Sequence, residues 1–289
     1  DLAKVQTFAA EPELRVYLEG LVGQAYARLH QRSGTGVRWQ PLHWLTRVFP
    51  ATFRRHVGAF WLALGLTLLG AGVGAFVLAK DPENKWMLIP PQFGHLQQTP
   101  TERVQAEETN AAERAGVIAE EAPSFSTMLM THNTKVSLTA LALGFLWGVF
   151  TAVLLFYNGV ILGFVAYDYI ADGQGQFLAA WLLPHGVPEL MAIFIGGQAW
   201  LVLARAMIGH GTGLPLRHRL RLVRDDLATL AGGLAVMLVY AGFIEAFLSQ
   251  HHGPHLYGLK IGFGLMELIV MIAFFSLMGR RLDREQAKT

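Results

Sequence analysis

Cysteine is absent from the 289-residue chain. No disulfide framework and no thiolate metal site can form, and cysteine usage leaves the redox compartment unmarked. Charge is scarce. Asp, Glu, Lys and Arg together make up 15% of the residues, against about 25% in a typical soluble domain. Catalytic signatures are missing as well: there is no GxSxG, no HExxH, no P-loop and no dinucleotide fingerprint. The glycine run "LGAGVGAF" (69–76) lies inside an apolar stretch, away from the strand-to-helix turn that phosphate binding needs. The reading is of a protein that is not an enzyme, with no catalytic residue, no metal and no cofactor. The basic turn at 217–224 is too short to argue for nucleic acid, and an anchor at one membrane face explains it.

What is abundant is apolar. Hydrophobic residues make up 53% of the chain and glycine contributes 31 residues; the mean hydropathy is +0.36. This composition predicts an all-α, polytopic transmembrane helix bundle of about six crossings with one interrupted helix, preceded by N-terminal cytoplasmic amphipathic helices. Residues 1–56 form the cytoplasmic region, with an amphipathic helix over 12–31. Residues 57–79 carry no charge and make the first crossing. The polar excursion 80–135 is extracytoplasmic, with a helical patch in 101–122 and an interfacial segment at 124–135. Residues 136–279 form the remaining bundle, and 280–289 a cytoplasmic tail.

Within that bundle the second crossing spans 136–157, and Asn158-Gly159 reads as a turn. The third element is broken: apolar pieces at 159–170 and 177–184 flank "ADGQGQ" (171–176), and neither piece crosses alone. The fourth crossing starts near Gly186, the fifth covers 227–248 and the sixth 259–279. Arginines 47, 54 and 55, then 217, 219, 221 and 224, then 280, 281 and 284 fall on one side only if the broken element counts as a full crossing. The positive-inside rule then puts both termini in the cytoplasm.

Ionisable groups at membrane depth are costly and mark function or pairing. The candidate intramembrane polar site is Asn158, Asp168, His185, Glu189, Glu245, Lys260 and Glu267. By this topology His185, Glu189, Glu245 and Lys260 lie at outer span ends, Glu267 lies about two turns deeper than Lys260, and Asp168 lies near mid-depth. Snorkelling serves Lys260 and Glu245, whereas Glu267 needs a partner, a cavity or a proton. For His185 and Glu189 the local use is a helix start, with Pro184 ending one segment and Pro188 in the first turn of the next. A proton-linked or ligand-binding role for the pair, with Glu245, is the alternative. The three imidazoles of "HHGPH" (251–255) lie on a loop and carry no metal signature. GxxxG spacings at Gly70/Gly74, Gly144/Gly148, Gly159/Gly163 and Gly258/Gly262 permit close helix approach and, with the amphipathic segments, suggest a two-fold homodimer.

"NGVILGF" (158–164), the broken third element and "PHGVPELMAIFIGG" (184–197) resemble the stage II sporulation protein M family of bacterial and archaeal membrane proteins. "DLAKVQ" (1–6) and "LVGQAYARLH" (21–30) resemble that family's cytoplasmic N-terminal helices, which implies a further helix upstream of Asp1; no signal peptide is expected. The resemblance implies a multi-pass protein of the bacterial inner membrane. In spore formers the named member is a membrane partner of cell-wall hydrolases; elsewhere the family is often encoded near MoxR-type ATPases. Two functions follow as expectations. One is a non-enzymatic scaffold for other membrane or envelope proteins, whether cell-wall remodelling or membrane ATPase machinery. The other is a transporter or channel, with its polar site at the interrupted helix. The lipid bilayer is a partner in either case.

Overall fold

The computed structural model describes residues 40–82, 99–114, 149–209, 211, 213–249 and 253–280. The expected helix at 12–31, the interfacial segment 124–135, residues 136–148 of the second crossing, the Gly144/Gly148 spacing, His251 and the tail beyond Arg280 lie outside the described residues. The chain divides into two compact units, Asp1–Leu42 and His43–Thr289, and the architecture below is that of the second.

Its elements are α1 (Phe49–Arg55), α2 (Val57–Lys80), α3 (Pro100–Arg114), α4 (Val149–Ala171), α5 (Gly175–Ile208), α6 (Leu216–Ile244) and α7 (Tyr257–Leu277). Among the described residues five helices are long and apolar enough to cross a membrane: α2 and α4 to α7. The chain is a multi-pass membrane protein. At 1.5 Å per residue the 24 residues of α2 reach about 36 Å, enough for the roughly 30 Å hydrocarbon core. Helix is the only open-ended way to satisfy every backbone donor there.

Helices α2 and α4 form the closest pair. A side chain at Gly70 would overlap the Phe156 carbonyl, at Gly74 the Val160 carbonyl, at Gly159 the Thr67 carbonyl and at Gly163 the Ala71 carbonyl. Glycine at these positions lets backbone touch backbone. The contacts advance in the same direction along both helices, so α2 and α4 are parallel. Lys80 and Val149 therefore lie at opposite ends of the bundle. Gly279 sits against the Arg47 carbonyl, so α1 and the end of α7 share one end.

Two aromatic-rich cores fill the ends. Phe49, Phe53, Phe60, Phe194 and Phe275 pack at the basic end with Leu230 and Leu234. Leu78, Val104, Tyr169, Phe177 and Tyr257 pack at the other. The bundle begins before its first apolar run, because Phe49 to Phe53 are already buried. Gln198 is fully buried and donates to the Phe53 carbonyl at 2.8 Å, tying α1 to α5.

The structure corrects the reading of the third element. Asn158-Gly159 is no turn: it lies inside α4, where Gly159 serves the contact with α2. Residues 171–176 do turn, with Gly173 at φ +78°, but the turn joins two full-length helices and interrupts neither. The apolar pieces on its two sides belong to α4 and α5. Pro184 does not end a segment, since α5 runs through both Pro184 and Pro188 for 34 residues. Each proline removes one ladder N–H, freeing the carbonyls of Ala180 and Pro184. The neighbouring helices bury both rings and hold the continuation in place. Helix α3 matches the first part of the helical patch expected in 101–122.

The α2–α4 contact predicts a sharp asymmetry among glycines. Gly163→Leu should abolish the monodisperse, folded species in detergent, since overpacking alone costs about 1–3 kcal/mol per site and here the obstacle is backbone. Gly65→Leu, at a position with open space around it, should leave size-exclusion profile and thermal midpoint nearly unchanged.

An ionisable cluster inside the bundle

The local sequence builds the outer rim first. Thr99-Pro100-Thr101-Glu102 is a capping box: the Glu102 amide donates to Thr99 Oγ1 at 3.3 Å, and the Thr99 amide to Glu102 Oε2 at 3.1 Å. Helix α3 is then docked on the α4–α5 turn. Thr101 N and Oγ1 both donate to Asp172 Oδ2, at 2.6 and 2.7 Å. Gln174 Nε2 donates to Thr101 Oγ1. One turn on, Arg103 donates to the Tyr169 hydroxyl at 2.6 Å, and its guanidinium lies 4.5 Å from the Trp181 ring. Tyr257 Oη donates to Glu108 Oε1 at 2.6 Å.

Below Trp181 the polar groups continue inward. The ring of His185 lies 6.1 Å from that of Trp181 and donates to the Trp181 backbone carbonyl, while Lys260 acts on it electrostatically. His185, Glu245, Lys260 and Glu267 are 5%, 6%, 1% and 5% exposed. Glu267 lies ten residues from either end of α7, at its middle. Tyr240 Oη donates to Glu267 Oε1 at 2.6 Å, and among the described residues the other oxygen, Oε2, is buried with no hydrogen-bond partner. Glu245 acts electrostatically on Glu189.

Helix registers explain why these groups meet. A side chain at Gly196 would touch Leu234, so the antiparallel helices α5 and α6 place His185 level with Glu245 and Glu189 level with Ala241. A side chain at Gly264 would lie 2.7 Å from Leu183 Cβ, so the parallel pair α5 and α7 places Glu267 close to the level of His185. Three helices thus bring His185, Glu189, Tyr240, Glu245 and Glu267 within about two turns of the same depth, with Lys260 one to two turns nearer the α3 end.

Two depths expected from sequence need correction. His185 and Glu189 are not at a helix start; they lie 10 and 14 residues into α5, about 15 and 21 Å from its first residue. They do not cap that start either: Glu189 has Glu245 as its charged neighbour, and His185 has Lys260. Asp168 is not near mid-depth. It lies three residues from the end of α4, because the break it was thought to precede is the turn between helices. Asn158 is exposed on the face of α4 turned away from α2. The structure places five of the seven expected residues at neighbouring depths on α5, α6 and α7, and leaves Asn158 and Asp168 apart. Sequence reading missed Tyr240, Arg103, Trp181 and Gln198. Trp181 had a signal, four residues before His185 on one helical face; Tyr240 had none, since its partner is on another helix.

A bundle of apolar helices with an ionisable centre defines an integral membrane protein of several passes. Residues 63–250 match the model of the family described as Stage II sporulation protein M, and the chain belongs to that family. The match includes His185, Glu189 and Glu245 and ends before α7. Neither the curated proteins nor the solved structures provide a match.

The Tyr240–Glu267 bond should be measurable by a double-mutant cycle in thermal unfolding. Tyr240→Phe leaves a buried carboxylate without its donor and should cost about 1–3 kcal/mol, whereas Tyr240→Phe with Glu267→Leu should recover much of that loss. At the rim, Asp172→Ala should cost about 1 kcal/mol, as loss of a helix cap does, and should speed protease cleavage within α3.

Proposed function

We propose that this chain is a transport-type membrane protein whose working part is the ionisable cluster between α5, α6 and α7. The observation that carries the reading is that three carboxylates, a lysine and a histidine from three helices lie at neighbouring depths inside an apolar bundle. Such groups are expensive at membrane depth and line substrate, ion or proton pathways. Helix irregularities support it. Glu189 follows Pro188 directly, and Glu245 opens the π-helical turn Glu245–Ser249; π-turns recur at functional sites. The polar site thus belongs to a proline-containing helix and a π-turn, not to the interrupted helix expected from sequence.

Charge distribution supports an orientation. Arg47, Arg54, Arg55, Arg205, Arg217, Arg219, Arg221, Arg224 and Arg280 outnumber Asp225 and Asp226 at one end, while Glu102, Glu107, Glu108, Asp81 and Asp172 outnumber Lys80, Arg103 and Arg114 at the other. The basic end faces the cytoplasm by the positive-inside rule, which in a bacterium makes the membrane the inner one. The Gly258/Gly262 face of α7 has open space around it and is the face available to a second copy in a dimer. A scaffold for envelope proteins is the second reading. Its support is α3, which is docked by hydrogen bonds to Asp172, Gln174, Tyr169 and Tyr257 and keeps Glu102, Gln105 and Thr109 exposed.

Reconstitution into liposomes tests the transport reading. Wild-type protein should dissipate an imposed proton or monovalent-cation gradient, and Glu189→Gln or Glu245→Gln should slow this at least tenfold while inserting normally. A wild type that passes no proton, sodium or potassium sinks the reading and leaves the scaffold. The cysteine-free background allows a clean orientation test: an impermeant maleimide applied to whole cells should label Gln105→Cys and spare Arg219→Cys.

A further inference from the structure

We propose that Glu189 and Glu245 together hold one exchangeable proton, one carboxyl donating its O–H to the other's carboxylate across the α5–α6 interface. The inference deepens the transport reading by naming its ion, and it rests on that reading for purpose but not for chemistry.

Register is the first argument. His185, Glu189, Ala192 and Gly196 recur at helical spacing along one face of α5, and Leu234, Leu238, Ala241 and Glu245 along one face of α6. Gly196 meets Leu234, so these faces oppose each other. Counting outward, Glu189 and Glu245 start one turn apart in depth, about 6 Å. Side chains lean toward the N-terminus of their own helix. The helices are antiparallel, so Glu189 leans outward and Glu245 leans inward, and the two lean toward each other.

Charge is the second argument. Glu245 is 6% exposed, Glu189 is half-buried, and the Glu245 carboxyl is the charged group that acts on Glu189. Two carboxylates in an apolar interior repel unless something positive joins them. A proton does this with a single strong O–H···O⁻ bond.

The remaining groups around the pair argue against a metal cation. From α5 comes His185, from α6 Tyr240, and from α7 Lys260 and Glu267. At that level α2 contributes Ala71 and α4 contributes Gly163 and, a turn outward, Tyr167. His185 has Lys260 acting on it, and Glu267 has one oxygen held by Tyr240. Among the described residues no three His, Asp or Glu side chains gather in a metal-holding group, and hard cations ask for about six oxygens. Two carboxylates suffice for a proton and fall short for sodium or calcium.

Infrared difference spectroscopy of the purified protein in lipid nanodiscs reads the pair directly. A pH step should raise a protonated-carboxyl C=O band equivalent to one group, unchanged by sodium or potassium. Glu189→Gln and Glu245→Gln should each remove it, while Glu189→Asp, which keeps the chemistry and guards against misfolding, should shift it. A band that survives both glutamine variants overturns the proposal, and so does a band that sodium or potassium displaces, which would mark a metal-cation site. A band that behaves as expected in a protein without flux would sink the transport reading and keep the proton site.

Discussion

Everything else in the bundle is arranged around the contact of two backbones. Helices α2 and α4 touch through Gly70, Gly74, Gly159 and Gly163, where side chains would collide with carbonyl oxygens. Without a hydrophobic force between helices in lipid, packing at this range is what holds two spans together. The pair is parallel, and α5 runs back against both. Gly197 of α5 reaches Ala63 and Leu155, so a third helix rests in the groove of the first two. The outward face of α5 is then free to meet α6 and α7, and the ionisable groups lie there.

Composition was enough to read a helical membrane bundle. What misled was punctuation. Asn-Gly usually marks a turn, but Gly159 is needed for contact with α2, and tertiary packing overrode the local preference. Two prolines four residues apart usually bound a helix, yet α5 continues through them because the surrounding helices hold both halves in line. "ADGQGQ" does break the chain, and its mistake was one of partners: the apolar pieces beside it complete neighbouring helices. The polar site was legible as a set of residue types at costly positions. Its pairings were not, because Glu189–Glu245 and Tyr240–Glu267 depend on inter-helix register, which no local spacing encodes.

The two polar regions of the molecule are built on different terms. At the rim, Asp172, Arg103, Tyr169 and Glu108 make short, matched hydrogen bonds near the water boundary, where each bond adds about a kilocalorie and rigidity. Inside, one oxygen of Glu267 is buried without a hydrogen-bond partner among the described residues, and Glu189 has the Glu245 carboxyl as its charged neighbour. Buried polar groups in native proteins are nearly always satisfied, and exceptions that persist need a reason beyond stability. The rim reads as construction and the interior as equipment. Trp181 touches both, stacked under Arg103 and packed against His185.

The double proline in α5 gives that helix a fulcrum. From Pro188 to Ile208 the helix extends 20 residues, an arm of about 30 Å. A flexure of about 10° at the weakened ladder would swing the far tip by about 5 Å, while the shorter outer arm, which carries Trp181, stays held under Arg103. Any such flexure would carry movement beside the carboxylates to the arginine-lined face, in a ratio set by where along the rod the two rings were inserted.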